Sequence, residues 1–364
     1  MATTLWSPID LGGGLSLPNR IVLAPCTRNR STADLSPPED AIEHYASRAD
    51  AGLLISEATL VAPEAQGYID TPGLFLDSHE HAWSRVVDAV HARGGRIFLQ
   101  VWHTGRIAHS FFSGVQPVGV SEVCDRVPRR QAGVVGLFNE RPRAVSTAEV
   151  AELVAQHRRC AQRARRAGFD GVEVHGANGY LIEQFLRRHT NDRRDAWGGE
   201  ALARARFGIE VVRACLEVFG PGRVGLRLSP AAYFGEMVWS EGDNEAYEAM
   251  LTELAGDGLA YVHTGIVDDL HYDELGGTST EFLRTRWPHR LMANGGYTPA
   301  RAQAAIASGA CDLVSFGKLF LANPDLVMRM RAGLPLQAYS PSVRMRPTYA
   351  RSPDPGPDAP PPVR

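Results

Sequence analysis

The chain has 364 residues and a mass of 39.6 kDa, with 44% hydrophobic and 22% charged residues, the composition of a globular protein with a sizeable core. Its formal net charge of −3, from 38 basic and 41 acidic residues, excludes the basic excess of a nucleic-acid or anionic-membrane binder. No apolar run nears the roughly 20 residues of a membrane span, and Met-Ala-Thr-Thr lacks a charged-then-apolar leader, so a soluble, cytoplasmic protein is expected.

In chain order, residues 1–19, with Gly12-Gly13-Gly14 and Pro18, read as a turn-rich cap. Short apolar runs rich in leucine and β-branched residues then recur at Ile21–Cys26, Leu53–Thr59, Arg96–Trp102, Gly171–His175, Val224–Ser229, Ala260–Thr264, Arg290–Ala293 and Leu313–Phe316. Helical patterns lie between them. Asp77-Ser-His-Glu80 and Ser146-Thr-Ala-Glu149 read as capping boxes. Thr298-Pro299 and Asn323-Pro324 each put a capping side chain before a proline at the first helical position. Eight strands alternating with helices predict a closed parallel (β/α)8 TIM barrel. No G-x-G-x-x-G follows any strand, so a Rossmann site is unsupported.

One barrel domain over 1–335 is expected, with the cap at its bottom. His103–Ala144 is too long for a plain loop and reads as a lid after the third strand. An atypical tail, 336–364, is expected to be disordered from about 352, where prolines crowd. The five cysteines form no CxxC and read as reduced thiols. His79-Glu-His81 sits at a helix start, where residues two apart do not face one another; no metal site is expected.

A barrel does its chemistry at the carboxyl ends of its strands, and unusual polar residues gather there. The fourth strand runs into His175, Asn178 and Tyr180. His175 and Asn178, three apart on a tight turn, can hold one carbonyl oxygen and stabilise negative charge on it. Gln100 and Trp102 share a face of the third strand. A buried glutamine needs a partner, and a planar amide-like heterocycle would satisfy its donor and acceptor. Arg227 stands between Leu226 and Leu228, so an anion, a carbonyl-rich ligand or Glu173 must answer its charge. Thr27 offers a hydroxyl at the first strand's mouth. Gly295-Gly296 after the seventh strand and Gly317-Lys318 after the eighth let backbone N–H groups approach an anion. Loops after strands seven and eight are the recurrent phosphate site of this barrel. Lys318, the only lysine in the chain, would supply the countercharge.

Six motifs in order carry a resemblance: Asn19–Arg28, Gly52–Thr59, Gln100–Arg106, His175–Leu186, Asn191–Gly199 and Phe316–Leu326. The chain, from about Leu17 to Arg331, resembles the old yellow enzyme family of FMN-dependent ene-reductases, which includes 12-oxophytodienoate reductase-like members. The resemblance implies non-covalent FMN across the barrel mouth. Pro25, Thr27, Ala58 and Gln100 would meet its ring, Arg227 the N1/O2 edge, and Gly295, Gly296, Gly317 and Lys318 its phosphate. His175 and Asn178 would bind a substrate carbonyl or nitro oxygen. Tyr180 would protonate the α-carbon, and Tyr68, Trp102 and Phe234 would line the pocket. NADPH or NADH would reduce the flavin, and hydride would then pass from N5 to the β-carbon of an activated alkene. The partners would be these two small molecules, with the protein a monomer or homodimer.

Two departures stand out. Lys318 occupies a position where family members commonly have arginine, and the family's aromatic, glycine-rich C-terminal motif is missing, leaving Tyr339 or Tyr349 as substitutes. Within the family the enzyme could also run as a desaturase or isomerase. Outside it, the rivals are a Schiff-base aldolase using Lys318 and a flavin-binding barrel without turnover.

Overall fold

The computed structural model describes residues 3–124, 128, 136–231 and 234–340. The tail expected to be disordered and the candidate Tyr349 lie outside these residues.

Eight strands form the barrel: β1 (Ile21–Leu23), β2 (Leu53–Ile55), β3 (Ile97–Trp102), β4 (Gly171–Gly176), β5 (Val224–Leu228), β6 (Tyr261–Thr264), β7 (Leu291–Ala293) and β8 (Leu313–Phe316). Each pairs in parallel with the next, and β8 pairs with β1 through Val314↔Ile21 and Phe316↔Leu23, which closes the sheet. The strands read as apolar because both faces are buried. Val172 and Val174 of β4 and Leu226 and Leu228 of β5 pack outward under the helices. The alternate positions, Glu173, His175 and Arg227, point into the barrel by the two-residue period.

Each strand is followed by a helix: α1 (Asp40–Ala46), α2 (Asp77–Ala92), α3 (Thr147–Arg166), α4 (Ala201–Phe219), α5 (Asp243–Leu254), α6 (Ser279–Arg286), α7 (Pro299–Ser308) and α8 (Leu326–Ala332). The Ser146–Glu149 capping box is formed, and the Thr298 side chain accepts from Arg301 N with Pro299 at the first helical position. Two expected caps are not formed. Asp77 is the first residue of α2 rather than its cap, and its carboxylate goes to Arg163 while Glu80 takes Arg163 and Arg166. Asn323 precedes α8 by more than a residue and instead accepts from Gln337 N and donates to Gln337 O, which ties down the chain after α8.

The second apolar run breaks after Ile55 and resumes as Thr59–Leu60, beside the end of β3. The interruption has a charged cause. Glu57 is buried against Arg28, accepting from its Nε at 2.8 Å and its backbone N at 3.0 Å, while Glu57 N donates to Tyr45 Oη. A buried ion pair of this kind needs its hydrogen bonds met, and the chain leaves the sheet to meet them.

The amino-terminal cap is a hairpin of Ile9–Asp10 with Ser16–Leu17. Leu11, Leu15 and Leu17 join Val22, Leu53, Phe98, Tyr261 and Met292 in one cluster that fills the barrel floor. Gly13, at φ +55°, has to be glycine: a Cβ there would sit 2.1 Å from Pro221 O. At the other end, the long connection after β3 carries short helical turns at Gly105–Ile107 and Ser110–Ser113, and Val118–Gly119 pairs with Arg143–Ala144.

Candidate active site

A cavity of about 640 Å3 opens at the carboxyl ends of the strands, within the size range of small-molecule sites. Pro25, Thr27, Ala58, Tyr68, Gln100, Trp102, His175, Asn178, Tyr180, Arg227, Phe234, Gly295, Gly296, Gly317 and Lys318 all line it. Residues separated by up to 293 positions in sequence, Pro25 to Lys318, thus share one wall system. Tyr339 lines it too. So do Asn29, Ile266, Val267, Asn294, Tyr297 and Ser315, which sequence reasoning passed over.

His175 is the penultimate residue of β4, in register with Arg227 of β5. Its ring lies parallel to Trp102 at 6.3 Å and edge-on to Tyr180 at 5.0 Å. Burial, then the Arg227 charge, pulls the imidazole well below the usual histidine range, so it is neutral at physiological pH and donates through one nitrogen only. Asn178 has φ +60°, a left-handed conformation that asparagine tolerates better than most residues. Its backbone N donates to Ser229 Oγ at 2.7 Å. Behind it Glu183, fully buried, accepts from Gly179 N, Ser229 Oγ, Tyr247 Oη and Arg187. Sequence reasoning missed Ser229 and Glu183; their signal, polar residues on the inner side of an apolar segment, was present but unremarkable.

Tyr180 Oη lies 3.1 Å from Tyr68 Oη, and the Tyr180 ring meets Trp102 edge-on at 4.9 Å. Tyr68 in turn stacks on Trp102 at 5.6 Å and 19°. Two phenols and an indole therefore make one wall that is apolar in body and protic at its tip.

Deeper in the barrel, Gln100 Nε2 donates to Glu173 Oε1 at 2.8 Å, and His263 Nδ1 donates to Glu173 Oε2 at 2.8 Å. Arg227 has no ion pair with Glu173 among the described residues; its Nη2 donates to Asn294 Oδ1 at 3.3 Å. Glu173, one of the three alternatives for answering Arg227, thus acts on it as a nearby charge rather than a contact.

On the opposite side, Gly295 and Gly296 have φ +113° and +66°. A Cβ at Gly295 would come 2.6 Å from Asp269 N, and one at Gly296 2.8 Å from Asp268 Oδ1. Among the described residues no acceptor meets either glycine's N–H. Lys318 is exposed at the same rim.

Several buried polar atoms bordering the cavity lack protein partners: His175 Nδ1, Asn178 Oδ1 and Arg227 Nε. Such groups are costly to leave unmet, so the site is built for a ligand rich in hydrogen-bonding atoms. A planar heterocycle over Gln100 and Arg227 with an anionic tail on the glycine rim fits that demand.

Comparison with known proteins agrees. Residues 4–337 match the model of the NADH:flavin oxidoreductase / NADH oxidase family. The chain belongs to this family. It is 37% identical over 343 residues to 12-oxophytodienoate reductase 1 of Oryza sativa subsp. japonica, covering 93% of this chain and 88% of that protein. Morphinone reductase, solved in complex with tetrahydroNAD, superposes with a TM-score of 0.86 at 43% identity, covering 94% of each chain. The old yellow enzyme homologue from Zymomonas mobilis superposes with a TM-score of 0.87 at 34% identity, covering 94% of this chain and 97% of that one. As a member of the NADH:flavin oxidoreductase family, the protein is an oxidoreductase with FMN as its cofactor and a nicotinamide as its reductant.

Proposed function

We propose that this flavin oxidoreductase reduces the carbon–carbon double bond of small electron-poor alkenes such as enones, enals and nitroalkenes. The observation that carries the reading is one cluster. His175 Nδ1 is buried without a partner beside the Tyr180 phenol, and Asn178 lines the same cavity with Gln100 and Arg227.

The residues divide the work. Pro25, Thr27, Ala58, Gln100 and Arg227 would hold the flavin ring, and Gly295, Gly296, Gly317 and Lys318 would hold the phosphate. The chemistry that bound FMN supplies is hydride uptake from NADPH or NADH and hydride delivery to the β-carbon of the alkene. His175, neutral, donates one hydrogen bond to the substrate's carbonyl or nitro oxygen, and the Asn178 amide donates a second. These bonds strengthen as negative charge gathers on that oxygen and so lower the barrier. Tyr180 Oη gives its proton to the α-carbon. Tyr68 Oη, 3.1 Å away, stays hydrogen-bonded to the phenolate left behind. Trp102, Tyr68 and Phe234 cover the reacting carbons and exclude water.

The deciding experiment is the visible spectrum of the purified protein, an anaerobic NADPH titration, and addition of cyclohexenone, a maleimide and a nitroalkene in turn. A yellow protein bleached by NADPH and recoloured by the alkene is expected. Recolouring by oxygen alone would overturn the reading. Bleaching of the oxidised protein by a saturated ketone without NADPH would favour the desaturase direction.

A further inference from the structure

Six polar side chains on the floor of the cavity are joined end to end, and the joins all run toward Glu173. Arg227 Nη2 on β5 donates to Asn294 Oδ1 after β7 at 3.3 Å. Asn294 Nδ2 donates to Ser315 Oγ on β8 at 3.0 Å. Ser315 Oγ is 2.8 Å from His263 Nε2 on β6, and His263 Nδ1 is 2.8 Å from Glu173 Oε2 on β4. From the other side, Gln100 Nε2 on β3 donates to Glu173 Oε1 at 2.8 Å.

Acceptor chemistry fixes the direction. A carboxylate only accepts, so His263 carries a proton on Nδ1; burial holds the ring below the usual histidine range and so neutral, and it therefore accepts at Nε2, which orients the Ser315 hydroxyl toward it. Arginine only donates, so Asn294 presents its oxygen to Arg227 and its nitrogen to Ser315. Every bond therefore points toward Glu173, an arrangement in which each dipole reinforces the next. Burial opposes a charge on Glu173, but His263, Arg227 and the Gln100 bond outweigh it and hold its carboxyl below the usual range. Glu173, His263 and Ser315 are almost wholly inaccessible to solvent. A buried ionised carboxylate with both oxygens committed is expensive to keep, and nothing in the reaction assigned to the site uses it directly.

The two ends of the chain are Gln100 and Arg227, the residues read as the polar contacts of the flavin ring. We propose that Glu173 is the positioning residue for both. Its carboxylate anchors the Gln100 amide with one N–H engaged, leaving the carbonyl and the second N–H for the ring. Through His263, Ser315 and Asn294 it also fixes the Arg227 guanidinium. Its charge offsets that of Arg227 under the oxidised flavin, which keeps the floor near neutral until reduction adds negative charge above it. The inference rests on the assignment of Gln100 and Arg227 to the ring.

The test compares Glu173→Gln and Ser315→Ala with the parent holoenzyme by reconstituting each with FMN. The readouts are dissociation constants for oxidised and reduced FMN and the two-electron midpoint potential. Glu173→Gln removes a negative charge beneath the ring, so the ratio of oxidised to reduced dissociation constants should rise at least tenfold, a positive shift of about 30 mV for a two-electron couple. Ser315→Ala breaks the chain without removing charge and should weaken both forms at least threefold with little change in their ratio. If Glu173→Gln folds and leaves the ratio within twofold of the parent, the inference is overturned. If it does not fold, Ser315→Ala decides: unchanged FMN affinity in both states overturns the inference equally. Failure of the underlying ring assignment looks different, because Gln100→Leu and Arg227→Met would then bind FMN with parental affinity and potential.

Discussion

Ser229 Oγ accepts the backbone N–H of Asn178 at 2.7 Å and donates its own hydrogen bond to Glu183 Oε2 at 2.7 Å. The hydroxyl is the brace that keeps Asn178 at φ +60°, a conformation that costs energy for a side-chain-bearing residue. Removing it in Ser229→Ala frees the turn and strips one donor from a buried carboxylate, a loss of about 1–3 kcal/mol. The expected outcome is a KM for cyclohexenone raised roughly tenfold, with a lower melting temperature. Steady-state kinetics showing a parental KM would refute the brace.

Tyr180 and Tyr68 divide one proton site between them. Tyr180→Phe should slow alkene reduction by about a hundredfold or more, the usual size of a lost general acid, while reduction of the flavin by NADPH changes by less than tenfold. Stopped-flow absorbance of each half-reaction separates the two, and equal slowing of both would remove Tyr180 from the acid role. Tyr68→Phe keeps the ring stacked on Trp102 and should have the same sign with a smaller size.

The glycine rim sets cofactor retention. Gly295→Ala forces a Cβ to within 2.6 Å of Asp269 N at a φ of +113°, so the loop must move and FMN affinity should fall at least tenfold. Lys318→Ala should weaken FMN more gently and reduce the dependence of binding on salt, because an exposed ammonium acts largely through screened charge. Fluorescence titration of apoprotein with FMN at two ionic strengths measures both.

Histidines buried as neutral rings make the fold sensitive to acid. Burial holds His157 down to about 4 and His103 down to about 3. Below pH 6.5 the unfolded chain takes up protons at these rings while the folded chain does not, so stability present above that pH is lost as pH falls toward 4. Each such ring contributes a slope of about 1.4 kcal/mol per pH unit. Urea denaturation at pH 6.5 and 5.0 should show this loss, and His157→Asn should flatten the slope relative to the parent. An unaltered slope in the variant would show that His157 titrates normally.

Much of the barrel was legible because its signal is repetitive. Eight apolar runs each bury both faces, so each stands out whatever its neighbours do, and the residues at their carboxyl ends converge once the sheet closes. The failures were local and polar. The second run was read through to Thr59 because Glu57 gave no hint that it would turn inward to Arg28. Asp77 and Asn323 looked like caps, but Arg163 and Gln337 claim their side chains from elsewhere in the fold. His263, Asn294 and Ser315 were invisible for a related reason. A single polar residue in an apolar strand shows its meaning only when strands that are distant in sequence bring its partners alongside.

The hairpin plug has a kinetic implication. With Leu11, Leu15 and Leu17 sealing the lower opening, every molecule that reaches the reacting centre arrives and departs through the same upper doorway. If the nicotinamide and the alkene of the proposed reaction also use one pocket in turn, a surplus of either should jam the other, and double-reciprocal plots are expected to be parallel, bending upward at high concentrations of each competitor.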